Sequence, residues 1–366
     1  MVLVTQADTD TTFLVCDRLE GFVALESAWN QLALRAGTPF VTHEWVRSWW
    51  RAFGERNAMA VVLRSADGGI LSGASLLRRS GQLVQAAAND YTEAWDVVAV
   101  DDTARRLLWD RIATLSGPRL RLAGVPAASP TAAIAPEALR AAGYRVAVGR
   151  QQLSPYVALP ETWEKLLATL SRNQRSQVRR KRKRVEREGS LVFRTTTAAD
   201  LDTDLDRFFE LEASGWKGAA GTAILQDPRA LRLYTDFARA AASKGWLRIH
   251  LLELGGVAIA GDYSCVLGDA AFLLKTGFDE RYAHLSPGAV VRGEALRAAI
   301  EAGLARYEFG GGPDRYKLQW GGDLSERLLV RAYRGSALPA FVYRHKLRPF
   351  VRRLSPSRTT TPDPQP

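Results

Sequence analysis

Hydrophobic and polar positions along this chain change period repeatedly, and each change marks an element. In EGFVALESAWNQLALRAG the apolar residues recur every three or four positions, which predicts a helix stopped by Gly37. THEWVRSWWRAFG predicts a second helix, capped by Thr42 and ended by Gly54. AMAVVLRS and ILSGASLLRRS are strand-like runs, and the ADGG turn joins them into a hairpin. Helix TARRLLWDRIATL, strand RLRLAGV, helix PTAAIAPEALRAAG and strand YRVAVG complete the first half.

The second half repeats that succession without repeating its sequence. TAADLDTDLDRFFELEASGW and DPRALRLYTDFARAAASKG predict helices. WLRIHLLEL, VAIAGDYSCVLG and DAAFLLKTGF form an antiparallel meander, with turns at Leu254–Gly256 and Gly268–Asp269. SPGAVVRGEALRAAIEAG follows as a helix and LARYEFG as a short strand. Interleaved helices and hairpins give a mixed α/β (α+β) class, with largely antiparallel sheets flanked by helices. Two prolines in Gln151–Pro160 mark the boundary between domains at 1–155 and 156–335. Residues 171–188 are a basic helix of the second domain, 336–354 a second basic helix and 355–366 a disordered tail.

A chain of 366 residues suits two domains of roughly 150 each. Hydrophobic residues at 46% and charged ones at 24% fit a soluble globular protein. The start, MVLVTQADTDTTFLV, lacks a signal-peptide pattern, and no apolar run approaches about 20 residues. The expected location is cytoplasmic, with a peripheral position at the inner face of the membrane as an extension. Cys16 and Cys265 read as two buried thiols. With His43, His250, His284 and His345 scattered, no metal site is expected.

Charge changes the picture. Of a net +11, the segment Arg172–Arg187 carries nine Arg or Lys against one Glu, and Arg344–Arg353 carries five more. The rest of the chain is nearly neutral, so anionic partners meet two patches. On a helix, Arg172, Arg175, Arg179 and Arg182 share a face, and Val178 and Val185 leave a thin apolar stripe. Aromatic residues do not interleave the run and no helix-turn-helix pattern is present, which argues against sequence-specific DNA binding. A solvated face, a polyanion-binding arm and a wall for a phosphorylated substrate, tRNA or an anionic membrane surface all fit it.

Three constellations can carry chemistry. Ser286 is a candidate helix N-cap, Pro287 suits the first helical position, and Gly288 and Ala289 leave room for a ligand. Such an amide end is either a phosphate seat or an ordinary helix start. In FGGGPDRYKLQWGG three glycines open the backbone next to a strand, with Asp314, Tyr316 and Lys317 behind them. Lys317 is a candidate to stabilise an oxyanion, and Tyr316 a candidate proton donor whose pKa a nearby cation lowers. Asp262, inside an apolar strand, and Asp279 are candidate general bases with raised pKa values. Trp216 is a substrate wall or a core residue; Lys217 and Lys275 are phosphate contacts or surface lysines.

ELEASGWKGAAGTAI (Glu210–Ile224), LLKTGFDERYAHLSPG (Leu273–Gly288) and FGGGPDRYKLQWGG (Phe309–Gly322) together resemble the GNAT superfamily of acyltransferases. The chain is more closely similar to the Fem-type/CelD-like branch, in which two GNAT-like domains lie in tandem. In the first half the resemblance rests on PFVTHEWVRSWW and the order of elements, which implies a degenerate N-terminal domain. The resemblance implies acetyl-CoA or a longer acyl-CoA as co-substrate, with its pyrophosphate held at Ser286–Ala289 and helped by Lys275. It matches YKLQWG to a Phe-Lys-x-Gly-Phe type motif whose lysine, here Lys317, lies close to the transferred acyl group. Trp216, Lys217, Asp314, Arg175 and Arg179 are the expected substrate contacts, Arg175 and Arg179 as part of the phosphate wall. The expected function is N-acyl transfer to an amine, with a cell-envelope or polysaccharide precursor as acceptor because CelD-like relatives are linked with exopolysaccharide or cellulose production. HLSPGA holds one glycine where GNAT phosphate loops hold more, so aminoacyl-tRNA, the donor of Fem-type ligases, stands as the alternative. A non-catalytic polyanion-binding protein is the rival from another class.

Overall fold

The structure, a computed structural model, describes residues 2–8, 11–54 and 57–338; the side chains of residues 2–8, 216 and 336 fall outside that description. The basic helix expected at 336–354 and the tail at 355–366 lie, from residue 339 on, outside the described residues.

Strands of the first half are β1 (Val2–Asp8), β2 (Thr11–Cys16), β3 (Ala58–Ser65), β4 (Ile70–Arg79), β5 (Leu83–Ala86), β6 (Val98–Ala99), β7 (Arg119–Pro126) and β8 (Arg145–Ala158). The second half adds β9 (Leu191–Thr195), β10 (Leu247–Leu254), β11 (Val257–Leu267), β12 (Ala270–Phe278), β13 (Arg306–Glu308) and β14 (Asp323–Tyr333). Helices are α1 (Leu19–Val23), α2 (Glu26–Ala33), α3 (His43–Trp49), α4 (Asp102–Leu115), α5 (Thr131–Ala141) and α6 (Trp163–Thr169). They continue with α7 (Arg172–Glu188), α8 (Leu201–Ser214), α9 (Trp216–Ala219), α10 (Pro228–Ser243), α11 (Pro287–Glu301) and α12 (Arg315–Leu318).

All strands join one sheet, in the order β1-β2-β3-β4-β5-β7-β14-β8-β13-β12-β11-β10-β9, with β6 beside β4. Each half contributes a meander whose last strand leads through a crossover helix into a parallel neighbour: β5-α4-β7 and β12-α11-β13. This is the repeated succession read from the sequence. The halves are nonetheless fused. Strand β14, which follows the GGG loop in sequence, enters between β7 and β8 and pairs with both. The span Gln151–Pro160, where the boundary was expected, mostly continues β8, which YRVAVG begins.

One apolar core also spans the halves. Trp45 of α3 meets Phe237 of α10 edge to face at 4.9 Å and Tyr234 at 6.4 Å. Such pairs add about 0.5–1.5 kcal/mol each beyond the area they bury. THEW is a docking motif in this setting. The Thr42 hydroxyl accepts from the Trp45 N–H as the N-cap, and the buried Glu44 carboxylate accepts from Asn30 Nδ2 at 2.9 and 3.0 Å.

Local chemistry explains the principal departures from the periodic reading. The first predicted helix divides into α1 and α2, and its end is drawn into a short 3-10 turn before Gly37, whose φ is +61°. The basic run does form one helix, α7. Ser171 accepts from the Gln174 N–H while Gln174 accepts from the Ser171 N–H, a reciprocal cap. Val185 is fully buried and Val178 partly so, which confirms the thin stripe. Cys16 and Cys265 are buried thiols, and burial pushes Cys265 up to about 12.

Candidate active site

The site begins where two parallel strands part. β12 and β13 pair only over Ala270–Phe272 and Arg306–Glu308. Past that point β12 runs on to Phe278 while the chain leaving β13 turns away through Gly310–Gly312. The departure leaves Leu273–Phe278 without a β13 partner. Leu274 is an extra residue in β12, because Ser264 faces Leu273 and Tyr263 faces Lys275. Such a bulge re-aims the side chain that follows it. Here it turns Lys275 toward α10, with its ammonium 4.9 Å from the centre of the Tyr91 ring and 5.5 Å from that of Tyr234.

At the far end of β12 stands the start of α11. A Cβ on Gly288 would touch the Phe278 ring at 3.4 Å, so the end of the open strand and the helix terminus are adjacent. Pro287 occupies the first helical position as expected. Ser286 sits at the N-cap position, but its φ is +57° and its hydroxyl makes no capping bond. A left-handed serine costs about 1 kcal/mol and leaves the first amides of α11 without a side-chain partner. The equivalent helix of the first half differs. Asp101 caps α4 through the Ala104 N–H, and Asp102 adds a second carboxylate to its first turn. An anion is repelled there and attracted at α11. The basic helix α7 flanks the same terminus, with Arg184 donating to the His284 carbonyl at 2.9 Å and Arg182 paired with Glu294.

Several expected contacts turn out to be architectural. Arg175 donates to the Leu167, Ala168 and Leu170 carbonyls at 3.5, 3.2 and 2.9 Å, closing the end of α6 rather than facing a substrate. Arg179 is exposed, and among the described contacts it has no partner. Lys217 donates to the Thr276 carbonyl at 2.9 Å and pairs with buried Glu212 at 3.1 Å, so it braces β12 instead of meeting a phosphate. Trp216 opens α9, and its side chain lies outside the description. Lys275 faces the tyrosines and not the amide end of α11; burial brings its pKa down to about 8.

The glycine turn is pinned by its own lysine. Lys317, 5% exposed, donates to the Gly310 and Gly312 carbonyls at 2.8 and 3.1 Å and pairs with Asp314 at 2.8 Å. Its three hydrogens are engaged, which removes it as an oxyanion donor and occupies Asp314. Tyr316 departs from expectation in the opposite sense. Its side chain is 44% exposed, yet protein surrounds the hydroxyl and burial pushes it up to about 12 despite Arg292 nearby.

Neither expected general base is available. Asp262 is fully buried, and burial raises its pKa, but one oxygen accepts from Arg292 of α11 at 2.9 Å. Arg292 donates its other arm to the Tyr307 hydroxyl at 2.9 Å. An acceptor amine has no path to that carboxylate, and the pair instead locks α11 to the sheet. Asp279 is chelated by Arg281, with contacts of 3.0, 3.0 and 2.6 Å, and its pKa is lowered rather than raised.

Residues 172–318 match the family described as Acetyltransferase (GNAT) domain. That segment is a GNAT domain. No curated protein matches the chain. Among solved structures it is similar to FemX, with a TM-score of 0.59 and 15% identity over 89% of this chain and 97% of that one. The C-terminal domain of a protein described as a lysylphosphatidylglycerol synthetase, from Agrobacterium fabrum, gives 0.53 and 14% over 89% and 95%. L-PGS from Bacillus licheniformis gives 0.52 and 13% over 92% and 95%. These likenesses extend the shared fold across both halves of the chain.

The GNAT domain shares a cavity of about 390 Å³ with the first half. Leu273, Glu308, Gly310 and Arg327 line it from one side, and Glu93, Asp96 and Arg105 from the other. It lies outside the carboxyl ends of β7 and β13, where crevices of α/β sheets hold ligands. Periodicity missed Arg292, Tyr91, Glu93 and Arg327. Arg292 carried a signal, being a charge on the apolar face of VVRGEAL; Tyr91 and Glu93 stand in a loop that carried none.

Proposed function

We propose that the chain is an N-acyltransferase that takes its acyl group from acyl-CoA and delivers it to an amine entering from the cleft between the halves. The observation that carries this reading is the pairing of an uncapped, acid-free helix start at Ser286–Ala289 with the unpaired length of β12 beside it. The first supplies the Gly288 amide and a positive dipole end for a diphosphate, the Ser286 and Ala289 amides being bonded to the Ala283 and Ser286 carbonyls. The second supplies backbone groups, apart from the Thr276 carbonyl that Lys217 occupies, for an amide-containing arm. The arm leads toward the bulge, where Lys275 waits under Tyr91 and Tyr234.

In this reading the neutral fraction of Lys275 takes a proton from the acceptor ammonium. The free amine then attacks the thioester carbonyl, a C–N bond forms and the C–S bond breaks. The nitrogen proton passes to the departing sulfur, and Lys275 returns its own to water. Tyr316 remains protonated at neutral pH and serves as a hydrogen-bond donor in the cleft. Lys317 holds the turn that carries Tyr316.

A second reading keeps the site and changes the donor. Exposed Arg179, Arg180 and Arg187 stand on the helix that flanks the α11 start, a surface suited to the extended phosphate backbone of an aminoacyl-tRNA. Calorimetry with acetyl-CoA, longer acyl-CoAs and charged tRNA separates the two. Gly288→Asp adds a carboxylate at the helix start, and the expected result is acyl-CoA binding lost with thermal stability unchanged or slightly raised. Wild-type protein that binds neither donor, or a variant that binds acyl-CoA normally, refutes the proposal.

A further inference from the structure

Two oppositely charged groups on the wall of the cavity between the halves are not fully answered by the protein, and the Thr38 hydroxyl there is also buried without a partner. Arg327 of β14 points into the cavity, and among the described contacts its guanidinium has no hydrogen bond or ion pair; its Nε is buried without a partner. Burial works against its charge, and Glu308 and Glu93 act in the opposite direction. The second group is Glu93. One carboxylate oxygen accepts from Gln152 at 3.2 Å, and the other has no described hydrogen bond. Of the other charges on the wall, Arg35 is exposed and has no partner among the described contacts, while Arg105 and Glu308 are occupied. Arg105 donates to the Val97 carbonyl at 2.8 Å and to Thr131 at 3.1 Å, and Glu308 accepts from Arg306 at 2.6 Å.

We infer that this cavity binds a small zwitterion of the amino-acid type, its carboxylate gripped by the fork of Arg327 and its ammonium held by the open oxygen of Glu93. A guanidinium whose Nε is buried without a partner is costly, and a carboxylate matches it in a planar, two-bond geometry. A simple anion leaves Glu93 unanswered and meets its repulsion; a simple amine leaves Arg327 so. The lining balances cations with carboxylates, which disfavours phosphate dianions and suits a ligand of no net charge. A volume of about 390 Å³ is in the range of small-molecule pockets and admits an amino acid with its waters. The position fits as well. A Cβ on Gly310 would touch the Glu93 carboxyl carbon at 3.4 Å, and Glu93 acts electrostatically on both Lys275 and Tyr316. An ammonium at Glu93 therefore stands next to the reaction cleft. Making this zwitterion the acceptor rests on the acyl-transfer reading; its binding does not.

The test is saturation-transfer NMR and calorimetry on the full chain without any acyl donor. The probes are the standard amino acids one by one, propionate, n-propylamine and inorganic phosphate. The expected result is that at least one amino acid binds, and more tightly than any of the three single-charge probes. Arg327→Gln is expected to weaken that binding about tenfold or more. Glu93→Gln is expected to weaken the amino acid and to improve propionate. Arg327→Lys, which keeps the charge and loses the fork, falls between and serves if the glutamine variant melts early. Failure of every amino acid to bind, binding of phosphate or propionate as tight as theirs, or unchanged affinity in both Arg327 variants overturns the inference. Amino-acid binding in a protein that ignores every acyl donor would sink the acyl-transfer reading alone; the reverse pattern would sink only this site.

Discussion

Replacing Lys317 with methionine separates two roles that its position in the sequence leaves confounded. A lysine acting on the acyl carbonyl should lower turnover and leave stability alone. A lysine pinning the turn should do the reverse first. The structure sets the size of the second effect. The bonds to the Gly310 and Gly312 carbonyls, at 2.8 and 3.1 Å from an ammonium that is 5% exposed, are charge-assisted and dry. At about 1.5 kcal/mol each, their loss comes to roughly 3 kcal/mol. The ion pair adds little, because the Asp314 side chain is 56% exposed and water screens it. The loss is local, so hydrogen exchange in peptides covering 309–322 is the direct assay, with thermal melting as support. Lys317→Met should raise exchange of those amides by about two orders of magnitude. Under the acyl-CoA proposal, donor affinity set at the start of α11 should hold within a few-fold. Wild-type protection together with a large fall in turnover would refute the pinning role and restore the oxyanion one.

Two other expectations follow from named contacts. His250 is buried against Phe193 and beside Thr195, and burial holds its pKa near 4. The unfolded chain takes up that proton near 6.5 and the folded chain only near 4, so stability falls as pH drops through this interval, by roughly 3 kcal/mol in all. His250→Gln should flatten that part of the melting profile, and an equally steep profile in the variant excludes His250 as its cause. Arg175→Ala and Arg179→Ala should part company, the first losing about 1 kcal/mol of stability with the α6 cap and the second staying within about 0.5 kcal/mol while weakening a phosphate-rich donor. Equal melting temperatures for the two would contradict the assignment.

What the sequence revealed and what it hid divide along one physical line. Elements whose fate is decided by neighbours in the chain were legible: the 3.6-residue stripes of α4, α8 and α10, the period-2 meander, the basic helix α7. Residue types also flagged positions that the fold sets around the end of β12 and the turn after β13. SPG lies at the start of α11, GGG at the turn, and the lysine on the last meander strand against Tyr91 and Tyr234. Their roles were misread because a role depends on partners that arrive from far along the chain. Lys317 looked available until two carbonyls of its own loop closed on it. Asp262 looked like a base until Arg292, thirty residues later, was found to seal it. Lys275 looked like a phosphate contact, and a single extra residue at Leu274 turned it to the other face. Strand β14 shows the same principle at the scale of the fold. Its alternation gives no hint that it leaves its own half to pair with β7 and β8, yet that insertion carries Arg327 into the cavity between them. A functional residue delivered by an inserted strand is invisible to any local pattern. The unanswered guanidinium it leaves behind is visible only once both halves are in place.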